Sequence, residues 1–442
     1  MKHKNYFIPG LVSFAMLSVF SVAAQNTKTL TLNQAIELSI KNSGQLKIDN
    51  AKVEEATGYR QEAWNNHLPD VKLSGSYLRL NSPTVDLKVK VGSGSSGGSA
   101  PVKVDQAAYG ILNASVPVFS GLRIKYGVES AKYLEQAAKL DVENDKEEVI
   151  MNTANAFSAL FKAKEYVGLV KENLKQQQQR VTDFSNLEKN GLLARNDLLK
   201  SQLQESNIEL TLLEAEHDLQ ITYKNVNLML GLPDGTEVNP DTSGFHIAEP
   251  GSLAQWEETA HQNRKDFASL SYREKAASTA IKATKGEYYP GIAITGGVIA
   301  ADVPNVLTIT NAMNVGVGLQ YNFGALWKTG AKVTQANAKL RQIQATEGML
   351  SDRIRLEVTQ AYQNYLLSLK KIDVYNKAMA QAVENYRITK NKYDNSLVTT
   401  TDLLEADVAQ LQAKLSSLLS KADALVAYKK LQQTAGVLSI SK

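Results

Sequence analysis

The chain has 442 residues, 43% apolar and 21% charged, which argues against general disorder and allows two or three ordinary domains or one very elongated one. Its formal net charge is +4, and the basic residues are not clustered in a way that tracks phosphates, so no nucleic-acid partner is expected. Cysteine is absent, which excludes disulfides, thiolate chemistry and lipid attachment at an N-terminal cysteine.

Lys2 and Lys4 precede a mostly apolar run from Phe7 to Val22, interrupted by Pro9 and Gly10. Val22-Ala23-Ala24 offers a small-residue cleavage site before Gln25, so residues 1–24 read as a secretory signal peptide, with a buried N-terminal helix as the alternative. Removing both lysines leaves +4 − 2 = +2. No later apolar stretch reaches the ~18 residues of a spanning helix. An exported chain of this kind is either soluble outside the cytoplasm or crosses a membrane as β-strands.

Thr29 to Asn66 has helical spacing (Leu32, Ala35, Ile36, Leu46, Val53) and ends at Pro69. A first repeat is expected over 25–231, with strands at about 70–82 and 108–119 and a helical hairpin at about 122–230. In those strands Val71, Leu73, Gly75 and Tyr77 alternate with Lys72, Ser74 and Ser76, and Leu112, Ala114, Val116 and Val118 alternate with Asn113 and Ser115. No proline interrupts Leu122 to Asn190, on the order of 100 Å of helix. Val167, Val170, Leu174, Val181 and Phe184 suit a coiled coil there, interrupted by the polar run Gln176 to Gln179. Residues 232–251 carry Pro233, Pro240, Pro250 and three glycines and read as a linker or small irregular region.

The same order then returns over 252–436, with a helix from Leu253 to Tyr289, strands at about 291–301 and 312–323, a hairpin at about 325–435 and a tail at 437–442. Met313, Val315, Val317 and Leu319 against Asn314, Gly316, Gly318 and Gln320 form the cleanest strand. Thr401 or Asp402 is expected to open the last helix. The segments "KNGLLARNDLLKSQL" from Lys189 and "DNSLVTTTDLLEADV" from Asp394 place Asp197 and Asp402 402 − 197 = 205 positions apart. The seam Leu404, Val408, Leu411, Leu415, Leu418 maps by that offset onto Leu199, Leu203, Ser206, Leu210, Leu213, with His217 further along as a packed or water-bonded imidazole. Coincident breaks at Pro69 and Pro290, and at Gly121 and Gly324, favour internal duplication over chance similarity of coiled coils.

Each strand has an apolar and a polar face. In a soluble sheet the apolar faces pack on helices; in an outer membrane they face lipid. Tyr77, Tyr109, Phe119, Tyr288, Tyr289, Tyr321 and Phe323 sit near strand ends, as an aromatic girdle does. Four strands cannot close a barrel, and open edges in lipid leave backbone groups unpaired at several kcal/mol each. Spanning strands therefore require copies to share a barrel: two give eight strands filled by side chains, three give twelve and a lumen.

These features resemble the outer-membrane efflux proteins, the TolC-like family. The resemblance is carried by the duplication, the strand pairs and the segments "YDNSLVTTTDLLEADVAQLQAKL" from Tyr393 and "NGLLARNDLLKSQLQ" from Asn190, and covers essentially the whole mature chain. It implies a mostly α fold with transmembrane β: a homotrimer whose twelve-strand outer-membrane barrel, seated in lipid, continues into a twelve-helix periplasmic barrel. It further implies an exit duct of a tripartite efflux or type I secretion system, met by a periplasmic membrane-fusion adaptor and, through it, an inner-membrane pump. Gly191-Leu192-Leu193 and Ser396-Leu397-Val398 match the family's adaptor-docking tip, with Ser396 where glycine is usual, so a tighter or less adaptable turn is expected there. Asp402 and Glu405 match acids lining the closed tip in the best-known member, Asp197 an acid in the first-half turn, and Tyr393 a gating tyrosine. Val398 stands where that member has a basic latch residue.

Plainer readings exist for each. Asp402 with Glu405 also fits an N-cap and its capping-box partner, and the apolar pairs Leu192-Leu193 and Leu397-Val398 also fit hairpin staples. Gly94-Ser95-Ser96-Gly97-Gly98 matches a nucleophile-elbow pattern but lies in low-complexity sequence read as a hairpin tip. His3, His67, His217, His246 and His261 show no metal-ligand spacing. No enzyme activity, metal or cofactor is expected. The rival readings are a periplasmic coiled-coil scaffold with a soluble sheet and a constitutively open porin.

Overall fold

The computed structural model describes residues 27–81, 83–85, 102–241, 248–304 and 306–439. The expected signal peptide and the tip from Gly92 to Pro101 lie outside them, as do His3 and His246. In chain order the elements are β1 (Thr27–Thr31), α1 (Leu32–Asn42), α2 (Gly44–Asn65), β2 (Asp70–Arg79), the short strands β3 (Thr84–Val85) and β4 (Val102–Lys103), β5 (Gln106–Phe119) and α3 (Arg123–Lys189). They continue with α4 (Arg195–Leu230), β6 (Glu237–Asp241), α5 (Leu253–Asn263), α6 (Lys265–Lys285), β7 (Gly291–Val303), β8 (Leu307–Gln320), α7 (Ala325–Asp394) and α8 (Thr400–Thr434). At 67 and 70 residues, α3 and α7 are each about 100 Å long.

Two expectations need correction. The stretches read as single helices, 29–66 and 253–289, each break once: α1 gives way to α2 at Ser43 and α5 to α6 at Arg264. Ser43 leaves the helical region (φ −56°, ψ 117°) and its hydroxyl accepts from the Leu46 amide at 3.2 Å. Arg264 does the same (ψ 123°), its guanidinium held by Asp266 at 2.6 Å and Glu357 at 2.7 Å. Each break sits where a hairpin helix ends. Asn42 Nδ2 donates to the Leu230 carbonyl at 2.6 Å at the end of α4, and Arg264 Nη1 donates to the Thr434 carbonyl at the end of α8. A cation there also suits the negative end of the helix dipole.

The linker, too, is more ordered than its composition suggests. β6 lies within it and pairs in parallel with β1, burying Leu30 and Val238 against Phe157, Leu160, Tyr223, Val226 and Leu230. A matching cluster in the second half packs Ala361, Tyr365 and Leu431, and the Tyr365 hydroxyl reaches the Ala248 carbonyl. These small cores sit midway along the long helices. Beside them, α3, α6, α7 and α8 leave a cleft of about 640 Å³ lined by Glu147, Asn152, Arg264, Lys265, Arg353 and Asp423. Burial pushes the Glu147 carboxyl up to about 7, against the opposing pull of Lys265 and Arg264.

The strands form one antiparallel sheet in the order β2-β5-β7-β8. They run 10, 14, 13 and 14 residues. Registers Leu73↔Leu112, Leu112↔Val298 and Val298↔Met313 put those residues on one face, with Val71, Val317 and Leu319. Lys72, Asn113, Gly297 and Asn314 share the other face. The apolar face is bare: Leu73 is 80% and Val315 88% exposed. On the polar face Gly297 is required, because a Cβ there would lie 2.7 Å from the Leu112 carbonyl oxygen of the neighbouring strand. β2 and β8 are the free edges, and all four helix–strand junctions lie at one end of the sheet.

Two measurements check this frame. Gly436 and Gly235 both have positive φ, but a Cβ on Gly436 would fall 2.7 Å from the Arg264 nitrogen, whereas Gly235 faces open space. Gly235→Ala should cost only the left-handed backbone term of roughly 1–2 kcal/mol, and Gly436→Ala distinctly more in thermal denaturation. The raised Glu147 value favours its neutral form in the folded state. That stability is full below the ordinary value of 4.5 and lost as pH rises through about 7. Glu147→Gln should therefore flatten the decline in Tm from about pH 5 to 8 and be the more stable chain at the upper end.

Candidate functional site at the hairpin tips

α3 and α7 both end in the same motif. Gly191 N–H donates to the Glu188 carbonyl and Leu192 N–H to that of Leu187, each at 2.9 Å; Ser396 and Leu397 repeat this to Tyr393 and Lys392, each at 2.8 Å. These are Schellman closures, which require a left-handed residue. Gly191 has φ +72° and Ser396 φ +60°. The second turn is therefore not tighter than the first; the serine adopts the glycine conformation with backbone strain on the order of 1–2 kcal/mol. Leu192 and Leu397 project into solvent, 75% and 72% exposed, while Leu193 and Val398 are half-buried.

The capping frame also moves. α8 opens at Thr400, and its N-cap is Thr399 (φ −83°, ψ 163°), with Asp402 as the reciprocal partner; Glu405 takes no part. The Thr399 hydroxyl accepts from the Asp402 amide at 3.2 Å, and the Asp402 carboxylate accepts from the Thr399 amide and hydroxyl, both at 2.7 Å. Threonine outcompetes aspartate as cap because its position carries the extended backbone that a cap needs. The Thr399 hydroxyl and amide hold the Asp402 carboxyl below the usual range. Glu405 is exposed one turn along α8. α4 has no side-chain cap; Asp197 sits in its first turn, 3.6 Å from Lys200, which also reaches Thr401 Oγ1 at 3.3 Å and so touches the other hairpin. Tyr393 stacks on Phe184 (centroids 5.7 Å apart), and its hydroxyl accepts from Thr400 at 3.4 Å.

The sequence reading missed what ties the four helices together. Arg180 on α3 donates through Nη1 to Gln177 and to Asp407 of α8, each at 2.9 Å, and through Nη2 to the Tyr386 hydroxyl of α7 at 3.0 Å. Gln177 in turn donates to the Ser201 carbonyl and hydroxyl of α4 at 2.8 and 3.0 Å. The Arg180 and Asp407 side chains are 10% and 7% exposed, so the pair is shielded from solvent screening. Burial, then the Asp407 charge, push the Tyr386 phenol up, and Arg180 opposes them. The signal was present as the polar run from Gln176 that interrupts the coiled-coil seam: Gln177 is fully buried. By contrast, Leu199, Leu203, Leu210 and Leu213 face outward along α4, and so does His217, which is exposed rather than packed. The buried positions of α4 are offset from that seam, at Leu198, Ser201, Ile208 and Ala215.

The profile of the outer membrane efflux protein family matches residues 35–232 and 256–437. The outer membrane efflux protein BepC of Brucella suis is 20% identical over 409 residues, spanning 90% of this chain and 85% of that one. Among solved structures, the Campylobacter jejuni CmeC outer membrane channel superposes with a TM-score of 0.78 at 16% identity, over 98% of this chain and 94% of that one. The Vibrio cholerae outer membrane protein VceC gives 0.74 at 16%, over 92% and 96%. The chain belongs to the outer membrane efflux protein family, and it is an outer-membrane protein whose helical part extends into the periplasm.

Proposed function

We propose that three copies of the chain form a passive exit duct: a twelve-strand barrel in the outer membrane continued by a twelve-helix barrel in the periplasm. A periplasmic adaptor coupled to an inner-membrane pump opens it. The observation that carries this reading is the open sheet, with one face apolar and bare and, among the described residues, no strand on the outer edges of β2 and β8. Backbone groups left unpaired in hydrocarbon cost several kcal/mol each, and only further copies remove those edges. The helices support the same assembly. α4 exposes a stripe through Leu203, Leu210 and Leu228, and α7 one through Met349, Leu356 and Val374; apolar stripes of this length fit facing helices of neighbouring copies.

At the periplasmic end, Leu192, Leu193, Leu397 and Val398 beside Gly191 and Ser396 give six projecting apolar tips per trimer for adaptor hairpins. Asp197, Asp402 and Glu405, repeated three times, ring the opening with negative charge, and Tyr393 anchors the second hairpin beside them. The gate closes when the α7–α8 hairpin lies against α3–α4, and the Arg180–Asp407–Tyr386 cluster holds the two together. Asp402 serves both as cap partner and as charge.

In planar bilayers the wild-type trimer should conduct weakly, and replacing Asp197, Asp402 and Glu405 together by Ala should raise conductance. Thr399→Ala breaks the same cap without removing charge, so an equal rise there would assign the effect to the cap. Unchanged, high conductance throughout would leave the open porin. Arg180→Ala strands a buried carboxylate and should cost about 3–5 kcal/mol while raising conductance. Arg180→Met with Asp407→Leu should recover most of the stability and keep the raised conductance.

A further inference from the structure

Just beyond the sheet, where all four strands pass into helices, the surface changes character twice. First comes an apolar and aromatic band: Phe323, Trp327 and Tyr289 are 68%, 70% and 62% exposed, with Leu326 and Phe119 beside them. This band continues the bare apolar face of the sheet. Within the adjoining helical turns lie Arg123 and Lys125 on α3, Lys282 and Lys285 on α6, and Lys328 on α7, all exposed. Four of them form one patch: Lys125 Nζ and Lys282 Nζ lie 5.9 and 5.8 Å from the centre of the same Tyr126 ring, and Arg123 packs over Gly286, next to Lys285; Lys328 stands in the opening turn of α7, which also leaves the sheet at this end.

None of the five forms an ion pair among the described residues. Nearby carboxylates are engaged elsewhere: Glu287 with Lys332 at 2.7 Å, Asp70 with Lys72 at 2.6 Å, and Glu129 with the Tyr133 hydroxyl at 3.2 Å. Lys282 and Lys285 suit the C-terminal end of α6. Arg123, Lys125 and Lys328 do not suit their places. They stand in the opening turns of α3 and α7, where the dipole disfavours cations, and neither helix has an acid in its first turn or a side-chain cap. Every other helix of eight or more residues carries at least one of these: Thr31, Ser43, Ser252 and Thr399 cap α1, α2, α5 and α8, and Asp197 and Asp266 serve α4 and α6. The two helices that leave the sheet thus lack the side-chain cap or first-turn acid that each of the others carries.

We infer that this basic collar binds the phosphate headgroups of anionic phospholipids in the periplasmic leaflet, with the aromatic band seated at the acyl boundary above it. Long basic side chains reach toward headgroups while their stems cover apolar surface, and aromatic rings settle at that depth. Continuity with the lipid-facing sheet selects a membrane lipid over a soluble anion. The inference rests on the reading that the sheet spans the outer membrane.

The test uses the detergent-solubilised full chain, with bound phosphatidylglycerol and phosphatidylcholine quantified by native mass spectrometry. Phosphatidylglycerol should bind preferentially. Neutralising Arg123, Lys125 and Lys328 to Gln should lower its affinity about a hundredfold, at roughly fivefold per cation, and leave phosphatidylcholine unchanged. Wild type in 0.5 M NaCl, where screening is short-ranged, should lose the preference without any mutation, which covers a variant that fails to fold. Equal binding of the two lipids, a triple variant with undiminished phosphatidylglycerol affinity, or a preference that survives the salt, overturns the inference. So does inorganic phosphate that displaces the phosphatidylglycerol at millimolar concentration, or a triple variant that dissociates into single chains with its lipid preference intact. A chain that binds neither lipid and stays soluble without detergent overturns the spanning reading as well.

Discussion

The unpaired edges of a four-strand sheet are the constraint on which the rest depends. Among the described residues, β2 and β8 each present a row of amides and carbonyls with no strand partner, on a sheet with one bare apolar face. In water such an edge is an aggregation hazard; in hydrocarbon it is untenable. The shared barrel we propose removes the edges and fixes how the helices below must stand, because each strand leads directly into or out of one. The bare stripes on α4 and α7 then follow as surfaces that a single chain has no means to cover. The duct we propose has a wall one helix thick, which buries little, and this fits the small cores midway along the helices, where local clusters such as Phe157–Leu160–Tyr223 and Ala361–Tyr365–Leu431 do the holding.

Those clusters sit where helices meet end to end. α4 stops against α1–α2 at Gly231, and α8 stops against α5–α6 at Gly436. Both glycines are left-handed, and both are crowded by the opposing break, Asn42 in one case and Arg264 in the other. The repeat uses two chemistries for one joint. An amide on a carbonyl closes the first. The second is closed by a guanidinium shared among Asp266, Glu357 and the Thr434 carbonyl at the end of α8, with the Glu147 cleft alongside. The second joint thus has beside it a carboxyl, Glu147, that burial pushes up to about 7.

What was legible in the sequence was what has a period. Met313, Val315, Val317 and Leu319 against Asn314, Gly316 and Gly318 report a strand with two different faces. The uninterrupted stretches after Gly121 and Gly324 report the long helices, and the two Asp-Leu-Leu turns report the duplication. Pairing across the halves, β5 with β7, was not legible, because no local pattern encodes a contact between positions such as Leu112 and Val298. The breaks at Ser43 and Arg264 were missed for the same reason: each is set by the end of a helix far along the chain. At the tip, attention fell on Asp402, an acid at a turn, while the buried acid is Asp407, whose partner Arg180 lies 227 positions away. A polar run inside a coiled-coil seam was the available clue, and it has a general reading: polar side chains that interrupt an apolar stripe yet stay buried must be satisfied by one another.

The two tips share a backbone and differ in how firmly they are held. Gly191 makes its turn without strain, but α4 opens with no side-chain cap, and Lys200 is divided between Asp197 and Thr401. Ser396 carries strain, yet α8 opens on a complete capping box, and Tyr393 pins the turn to α3 through Phe184. The second hairpin is therefore internally rigid and joined to the first by few, specific polar contacts. A body of that kind swings as a unit when those contacts are released, and the first hairpin, with its unstrained glycine and uncapped helix, is the better suited to adapt to a docking partner. In the duct we propose, receiving a partner and moving a gate fall to different copies of one duplicated turn, and Arg180, on the first hairpin with bonds to the second, is the residue we assign to coupling docking at one to release of the other.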